Sequence, residues 1–135
     1  MAWLISGRRT GVRVVSVERD AHRAEQVAQL FTDVPDVEIL HGDWTLIAEH
    51  APFDLLIVDG GGNGKQGPAA NPEQLLHPAG TIVIDDFTPL KEWPPLHAGQ
   101  PDQARLHWLE HPALLATEVR LAPDLSTIVA TRRPS

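Results

Sequence analysis

The sequence predicts an α/β fold with a mostly parallel sheet and an antiparallel hairpin at its C-terminal end. Short runs of β-branched and aliphatic residues alternate with segments of helical periodicity, which is typical of a parallel sheet with helices on both faces. The last two runs, residues 117–121 and 126–131, are separated only by the turn 122–125, which is typical of a hairpin. A length of 135 residues suits one domain, so we expect a single domain over residues 1–135.

The first half of the chain predicts two strands, each followed by a helix. The run at 12–17 is rich in valine, which favours a strand buried on both faces. Asp20 is a suitable N-cap for the helix that follows it. The predicted elements of this half are a helix end at 2–9, strands at 12–17 and 37–40, a helix at 21–31 and a short helix at 44–50.

The second half predicts two further strands before the hairpin. The run at 53–58 is almost entirely apolar and ends at Asp59, before a glycine-rich loop at 60–64. That loop lacks the spacing of a phosphate-binding loop, which excludes this function. The other predicted elements are a helical turn at 72–76, a turn at 77–80, a strand at 81–84, an irregular loop at 87–104 and a short helix at 104–110.

Composition excludes several classes of function. The net charge of −7 argues against nucleic acid as a partner, because phosphate binding needs a basic surface. The absence of cysteine excludes disulfides, thiolate metal sites and cysteine nucleophiles. No apolar run approaches the ~20 residues that span a bilayer, so no membrane partner is expected. The N-terminal residues lack a signal-peptide pattern, which predicts a cytoplasmic protein.

Acidic residues follow all four predicted strands before the hairpin. They are Glu18, Asp43, Asp59 and the pair Asp85 and Asp86. Ligands of open α/β sheets bind outside the carboxyl ends of the strands, so we expect these acids to gather at one rim.

The first two of these acids suit a nucleoside. A carboxylate at the position of Glu18 could accept two hydrogen bonds from a ribose diol. Asp43, one strand further out, could accept a hydrogen bond from an adenine amino group. Trp44 either lies against the base or packs in the core or on the surface.

These acids belong to motifs that resemble a known family. VVSVERD, VEILHGDW, FDLLIVDGG and LLHPAGTIVIDDFTP resemble class I S-adenosylmethionine-dependent methyltransferases, nearest to the catechol and caffeoyl-CoA type O-methyltransferases. The final hairpin, ATEVRLAPDLSTIVATRR, is similar to that family's reversed last strand pair. The resemblance implies a Rossmann-like sheet, S-adenosylmethionine as cofactor and methyl transfer to a hydroxyl of a small-molecule substrate.

The resemblance also implies roles for individual residues. Glu18 matches the ribose-binding acid, and its neighbour Arg19 is expected at the same cofactor site. Asp43 and Trp44 match the residues on the adenine side. Asp59 matches the acid after the family's fourth strand, which implies a role in cofactor binding and catalysis.

In metal-dependent members of the family, the resemblance implies a divalent cation. Asp59, Asp85 and Asp86 would be its ligands, and oxygen ligands suit Mg²⁺ or Ca²⁺. The cation would lower the pKa of the substrate hydroxyl. Asp86 stands where the family has asparagine, and the alternative is that Asp85 and Asp86 cap a loop.

The histidines also leave alternatives open. His97 or His107 could act as a base, but a role at the surface or in packing is the favoured explanation.

The main departure from the family is the missing first strand with its glycine-rich turn. Three explanations are open: a fragment or late start, direct pairing of the strands that end at Glu18 and Asp59, or a second chain that fills the gap in a homodimer. The departure also favours an alternative function, a methyltransferase-like module that binds without catalysing. A nicotinamide-dependent oxidoreductase is a further alternative, which fits Glu18 but not the hairpin.

Overall fold

The computed structural model describes residues 5–6, 11–59 and 70–134. Of the helix end predicted at 2–9, only the helical residues Ile5 and Ser6 are described. The glycine-rich loop predicted at 60–64 lies outside the described residues. The chain divides into two compact units, Met1–His50 and Ala51–Ser135.

The first unit contains two parallel strands, each followed by a helix. Its elements are β1 (Val14–Glu18), α1 (Ala21–Leu30), β2 (Val37–His41) and a 3₁₀ helix (Trp44–His50). Helix α1 begins as predicted, because Asp20 Oδ1 accepts a 2.9 Å hydrogen bond from the N–H of Arg23. Along β1 and β2, Val14 lies opposite Val37 and Glu18 opposite His41, so the two carboxyl ends are side by side.

The second unit contains a four-stranded sheet in the order β3-β4-β8-β7. Strands β3 and β4 are parallel, β8 is antiparallel to β4, and β7 with β8 forms the predicted hairpin. Its elements are β3 (Phe53–Val58), α2 (Pro72–Leu75), β4 (Leu76–Phe87), β5 (Leu96–His97), β6 (Gln100–Pro101), α3 (Gln103–Leu109), β7 (Leu114–Arg120) and β8 (Ser126–Arg132).

Strand pairing confirms the predicted fold class. The strands before the hairpin pair in parallel, β1 with β2 and β3 with β4, and the hairpin is antiparallel. Among the described strands, β1 and β2 form one sheet, and β3 and β4 belong to another. No helix among the described residues is long and apolar enough to cross a membrane.

The turn predicted at 77–80 is a bulge inside β4. Phe53 pairs with Leu76 but Leu55 pairs with Thr81, so the residues between Leu76 and Thr81 have too few partners on β3 and are displaced from the ladder. Ala79 adopts a φ of 64° within it. At Gly80 a Cβ atom would lie 2.7 Å from the carbonyl oxygen of Phe53, so only glycine fits without displacing backbone.

The loop predicted at 87–104 is more ordered than expected. Strands β5 and β6, of two residues each, form a hairpin within it. Ala98 and Gly99 lie in its turn, at φ of 50° and 76°. Asp102 then caps α3, which begins one residue before the predicted start.

One face of the four-stranded sheet forms the core of the second unit. Side chains alternate between the two faces of a strand, and the buried set includes Ile82, Ile84, Ile128 and Ala130. Trp108 of α3 is fully buried. This packing fixes the carboxyl end of β4 and the helix that follows it.

Candidate functional site

The first group of predicted site residues lies at the carboxyl ends of β1 and β2. Glu18 lies opposite His41, and the N–H of Gly42 donates a 3.0 Å hydrogen bond to the carbonyl oxygen of Glu18. Asp43 follows directly. The pairing therefore brings Glu18 and Asp43 to the same edge of the sheet, as predicted from the strand ends.

The carboxylate of Glu18 is held in a defined orientation. Its Oε1 accepts a 2.8 Å hydrogen bond from the N–H of Asp20. A carboxylate offers about four acceptor positions, so this bond leaves Glu18 able to accept hydroxyl hydrogens from a ligand.

Asp43 is ionised at neutral pH. The N–H of Thr45 donates a 3.1 Å hydrogen bond to Asp43 Oδ1, and this bond and a further one from the Thr45 side chain lower the pKa of the carboxyl. The positive charge of Arg19 lowers this pKa further, which places Arg19 within electrostatic reach of Asp43. Trp44 begins the 3₁₀ helix and is half-buried. Glu18, Arg19, Asp43 and Trp44 thus belong to one edge of the first unit.

The second group lies at the carboxyl ends of β3 and β4. Val58 lies opposite Ile84, so Asp59 and Asp85 are the next residues of two paired parallel strands. Asp59 is exposed and Asp85 half-buried. Asp86 adopts a φ of 62°, and its N–H donates a 2.8 Å hydrogen bond to Asp85 Oδ1.

The structure does not support the predicted metal site. Within 5–6, 11–59 and 70–134, no three histidine, cysteine or acidic side chains are grouped to hold a metal ion. Asp59, Asp85 and Asp86 lie at the same edge of the sheet. The hydrogen bond within the Asp85–Asp86 pair fits the alternative, in which the two residues stabilise the turn that ends β4.

The second unit also contains a buried charged cluster that the sequence did not predict. Arg105 donates from Nε to Asp102 Oδ2 at 3.2 Å and from Nη1 to Glu118 Oε2 at 2.8 Å. Its Nη2 donates to the carbonyl oxygen of Thr88 at 2.7 Å. A signal was present: Glu118 falls on the inward face of β7 with Leu114, and a carboxylate there requires a buried partner.

Beside this cluster lies a cavity of about 230 Å³. The segment that follows β4 forms most of its wall, and Arg105 of α3 completes it. Polar side chains on this wall are Lys91, Glu92 and His97. This volume lies below the ~300 Å³ at which small-molecule sites begin.

His107 makes packing contacts. Its Nε2 lies 3.1 Å from the carbonyl oxygen of Ala70, and its ring packs edge-to-face against Trp108 and His111. Burial lowers the pKa of His111, and the neighbouring His107 lowers it further, whereas Glu73 raises it.

Comparison with known proteins shows the fold. No protein-family model and no curated protein matches the chain. A protein from Klebsiella pneumoniae assigned as an O-methyltransferase is 19% identical, with a TM-score of 0.67 over 97% of this chain and 66% of that one. A methyltransferase from Geobacter sulfurreducens is 17% identical, with a TM-score of 0.66 over 98% of this chain and 64% of that one.

A third structure, an SAH-bound methyltransferase from Podospora anserina, is 20% identical, with a TM-score of 0.62 over 99% of this chain and 65% of that one. The resemblance to class I methyltransferases is thus confirmed as a likeness of fold. The chain spans about 65% of the length of these three proteins.

Proposed function

We propose that this chain carries the cofactor-binding edge of an S-adenosylmethionine-dependent methyltransferase that methylates a hydroxyl of a small molecule. The observation that carries the proposal is the placement of Glu18 and Asp43 side by side at the ends of two paired parallel strands. The fold that the chain shares with methyltransferases, one of them with SAH bound, supports this cofactor over a nicotinamide dinucleotide.

In this proposal the first unit binds the nucleoside. Glu18, held by the N–H of Asp20, accepts hydrogen bonds from the ribose hydroxyls. Ionised Asp43 accepts a hydrogen bond from the adenine amino group, and Trp44 lies against the base. Arg19 limits the repulsion between the two carboxylates.

We further propose a catalytic role for Asp59. When bound, S-adenosylmethionine supplies a methyl group activated by its sulfonium sulfur. The chain then has to place the acceptor oxygen in line with that methyl group and to take up the hydroxyl proton. We assign these tasks to Asp59, whose exposed carboxylate at the end of β3 can accept the proton as the new C–O bond forms. No cation is assigned, because the described acids do not form a ligand group.

Titration calorimetry with S-adenosylhomocysteine tests the proposal. We expect binding to this chain, and binding weakened roughly tenfold or more in Glu18→Gln, since a hydrogen bond from a ribose hydroxyl to a charged acceptor is lost. Glu49→Gln is the matched control, an exposed glutamate of the 3₁₀ helix, and should bind like the wild type. No heat with S-adenosylhomocysteine, or tighter binding of a nicotinamide dinucleotide, would contradict the proposal.

The second candidate function is a module that binds the cofactor without catalysing. Transfer of a labelled methyl group to any member of a panel of small phenols would exclude it. Binding of S-adenosylhomocysteine with no such transfer would favour it.

A further inference from the structure

We propose that Arg105 and Glu118 are positioning residues, which hold the cavity wall formed by residues 88–98 in place through one buried ion-pair network. That the network holds the wall rests on the contacts within the second unit alone.

Arg105 uses each branch of its guanidinium group. Nε and Nη1 donate to the carboxylates of Asp102 and Glu118, and Nη2 donates to the carbonyl oxygen of Thr88. The guanidinium carbon lies 5.0 Å from the ring centre of Phe87, within the range of a cation–π contact. The side chain is only 7% exposed. An arginine fixed in this way has one orientation, which lysine could not reproduce.

Glu118 links the same arginine to a second point on the wall. Its Oε2 accepts from Arg105, while its Oε1 accepts 2.8 Å hydrogen bonds from the N–H of Leu90 and from Ser126 Oγ. The Glu118 side chain is 10% exposed. Both carboxylate oxygens therefore have partners, as a buried charge requires.

The wall is attached to this network at three backbone positions. The carbonyl oxygen of Thr88 binds Arg105, and the N–H of Leu90 binds Glu118. The carbonyl oxygen of Pro95 accepts a 2.9 Å hydrogen bond from the N–H of Asp102, whose carboxylate in turn binds Arg105. The positions span the wall from its start to the base of the β5–β6 hairpin.

Apolar burial contributes less to holding the wall. Its large apolar side chains Leu90, Trp93 and Leu96 are 40%, 57% and 49% exposed. Pro95 is its fully buried residue. Because these side chains gain little by staying in place, the polar anchors decide the position of the wall and of Lys91 and His97, which line the cavity.

The network's effect on the wall can be separated from its effect on overall stability. Removing one partner of a buried ion pair leaves an unpaired charge, whereas replacing both by apolar residues of similar volume is often neutral. Arg105→Met combined with Glu118→Leu removes both members of this pair and with them the bonds to Thr88 and Leu90, while Asp102 keeps its hydrogen bond from the N–H of residue 105. The double variant should therefore fold, yet leave the wall unanchored.

Amide hydrogen exchange measured by NMR on the full chain tests the inference. In the double variant we expect the Leu90 amide to exchange roughly tenfold faster or more, with faster exchange also at His97 and Gln100 and a melting temperature close to the wild type. The single variant Arg105→Met keeps Glu118 as the acceptor of the Leu90 N–H, so we expect a smaller increase in exchange at Leu90 and a lower melting temperature. Arg120→Met is the control, an exposed arginine of β7 outside the network, and should leave the wall unchanged.

Two results would overturn the inference. One is unchanged exchange at Leu90, His97 and Gln100 in the double variant. The other is an equal increase in exchange over the whole second unit, which would make the network a general support of the fold.

Calorimetry with S-adenosylhomocysteine on the same variants distinguishes the two proposals. Loss of wall protection with no binding in any variant, wild type included, would refute the proposed function while supporting the positioning role.

Discussion

The backbone N–H of Asp20 donates a 2.8 Å hydrogen bond to Glu18 Oε1, while the side chain of Asp20 caps helix α1. The two functions of Asp20 are therefore separable. Its backbone orients the carboxylate assigned to the ribose, and its carboxylate satisfies the N–H of Arg23. A substitution can remove the second function without touching the first.

Asp20→Ala is expected to destabilise the chain without weakening the cofactor site. Loss of an N-cap carboxylate costs about 1 kcal/mol of unfolding free energy, whereas the N–H that holds Glu18 remains. Urea unfolding should show the loss, and calorimetry with S-adenosylhomocysteine should give the wild-type affinity. An affinity that falls as far as in Glu18→Gln would show that the cap, not the N–H, orders this edge.

Asp43→Asn is expected to weaken binding of S-adenosylhomocysteine several-fold. The amide keeps an oxygen for the N–H of Thr45, but it loses the charge that strengthens acceptance from an adenine amino group. Calorimetry at pH 7 measures the change. Asp33→Asn, at an exposed aspartate of the turn before β2, is the control and should bind normally. Equal affinities in both variants would remove Asp43 from the proposed site.

The sequence was sufficient to predict that Glu18 and Asp43 share one edge, because the relevant signals are local. Each acid directly follows an apolar strand, and parallel pairing then brings Glu18 and Asp43 to one edge. The metal prediction assumed that acids at one edge converge, and no three-ligand group is found among the described residues. Whether they do depends on the backbone at Asp86, whose φ of 62° and bond to Asp85 no spacing reveals.

Long-range contacts explain the other differences. Residues 77–80 have turn composition, and their place inside β4 follows from pairing with β3, far away in sequence. Arg105 and Glu118 are common surface residues, and their burial depends on how α3 packs against β7. In the sequence, only the alternation along β7, which puts Glu118 on the inward face, indicated that this residue is buried.

The stability of the second unit is expected to rise with pH through the region just below the ordinary histidine pKa. The folded state lowers the pKa of His111, because burial and His107 disfavour the charged ring, and Nδ1 accepts the N–H of Ala113. The unfolded chain therefore binds the proton first, near pH 6.5, and stability falls as the pH drops through the lower folded pKa. Urea unfolding at pH 5 and pH 7.5 measures the free energy of unfolding. The difference between the two pH values should be smaller in His111→Gln than in the wild type. His22→Gln, in exposed α1, should retain the full difference.

Gly80→Ala is expected to destabilise the chain more than Gly99→Ala. At Gly80 the added Cβ would lie 2.7 Å from the carbonyl oxygen of Phe53 and 2.8 Å from that of His77, so backbone has to move, at a cost of about 2 kcal/mol or more. At Gly99 the space is open, and the cost of about 1 kcal/mol comes only from the positive φ. Thermal unfolding of both variants measures the order. Equal destabilisation would mean that β4 can shift its bulge relative to β3, and that the register at Phe53 does not fix the end of β4 that carries Asp85.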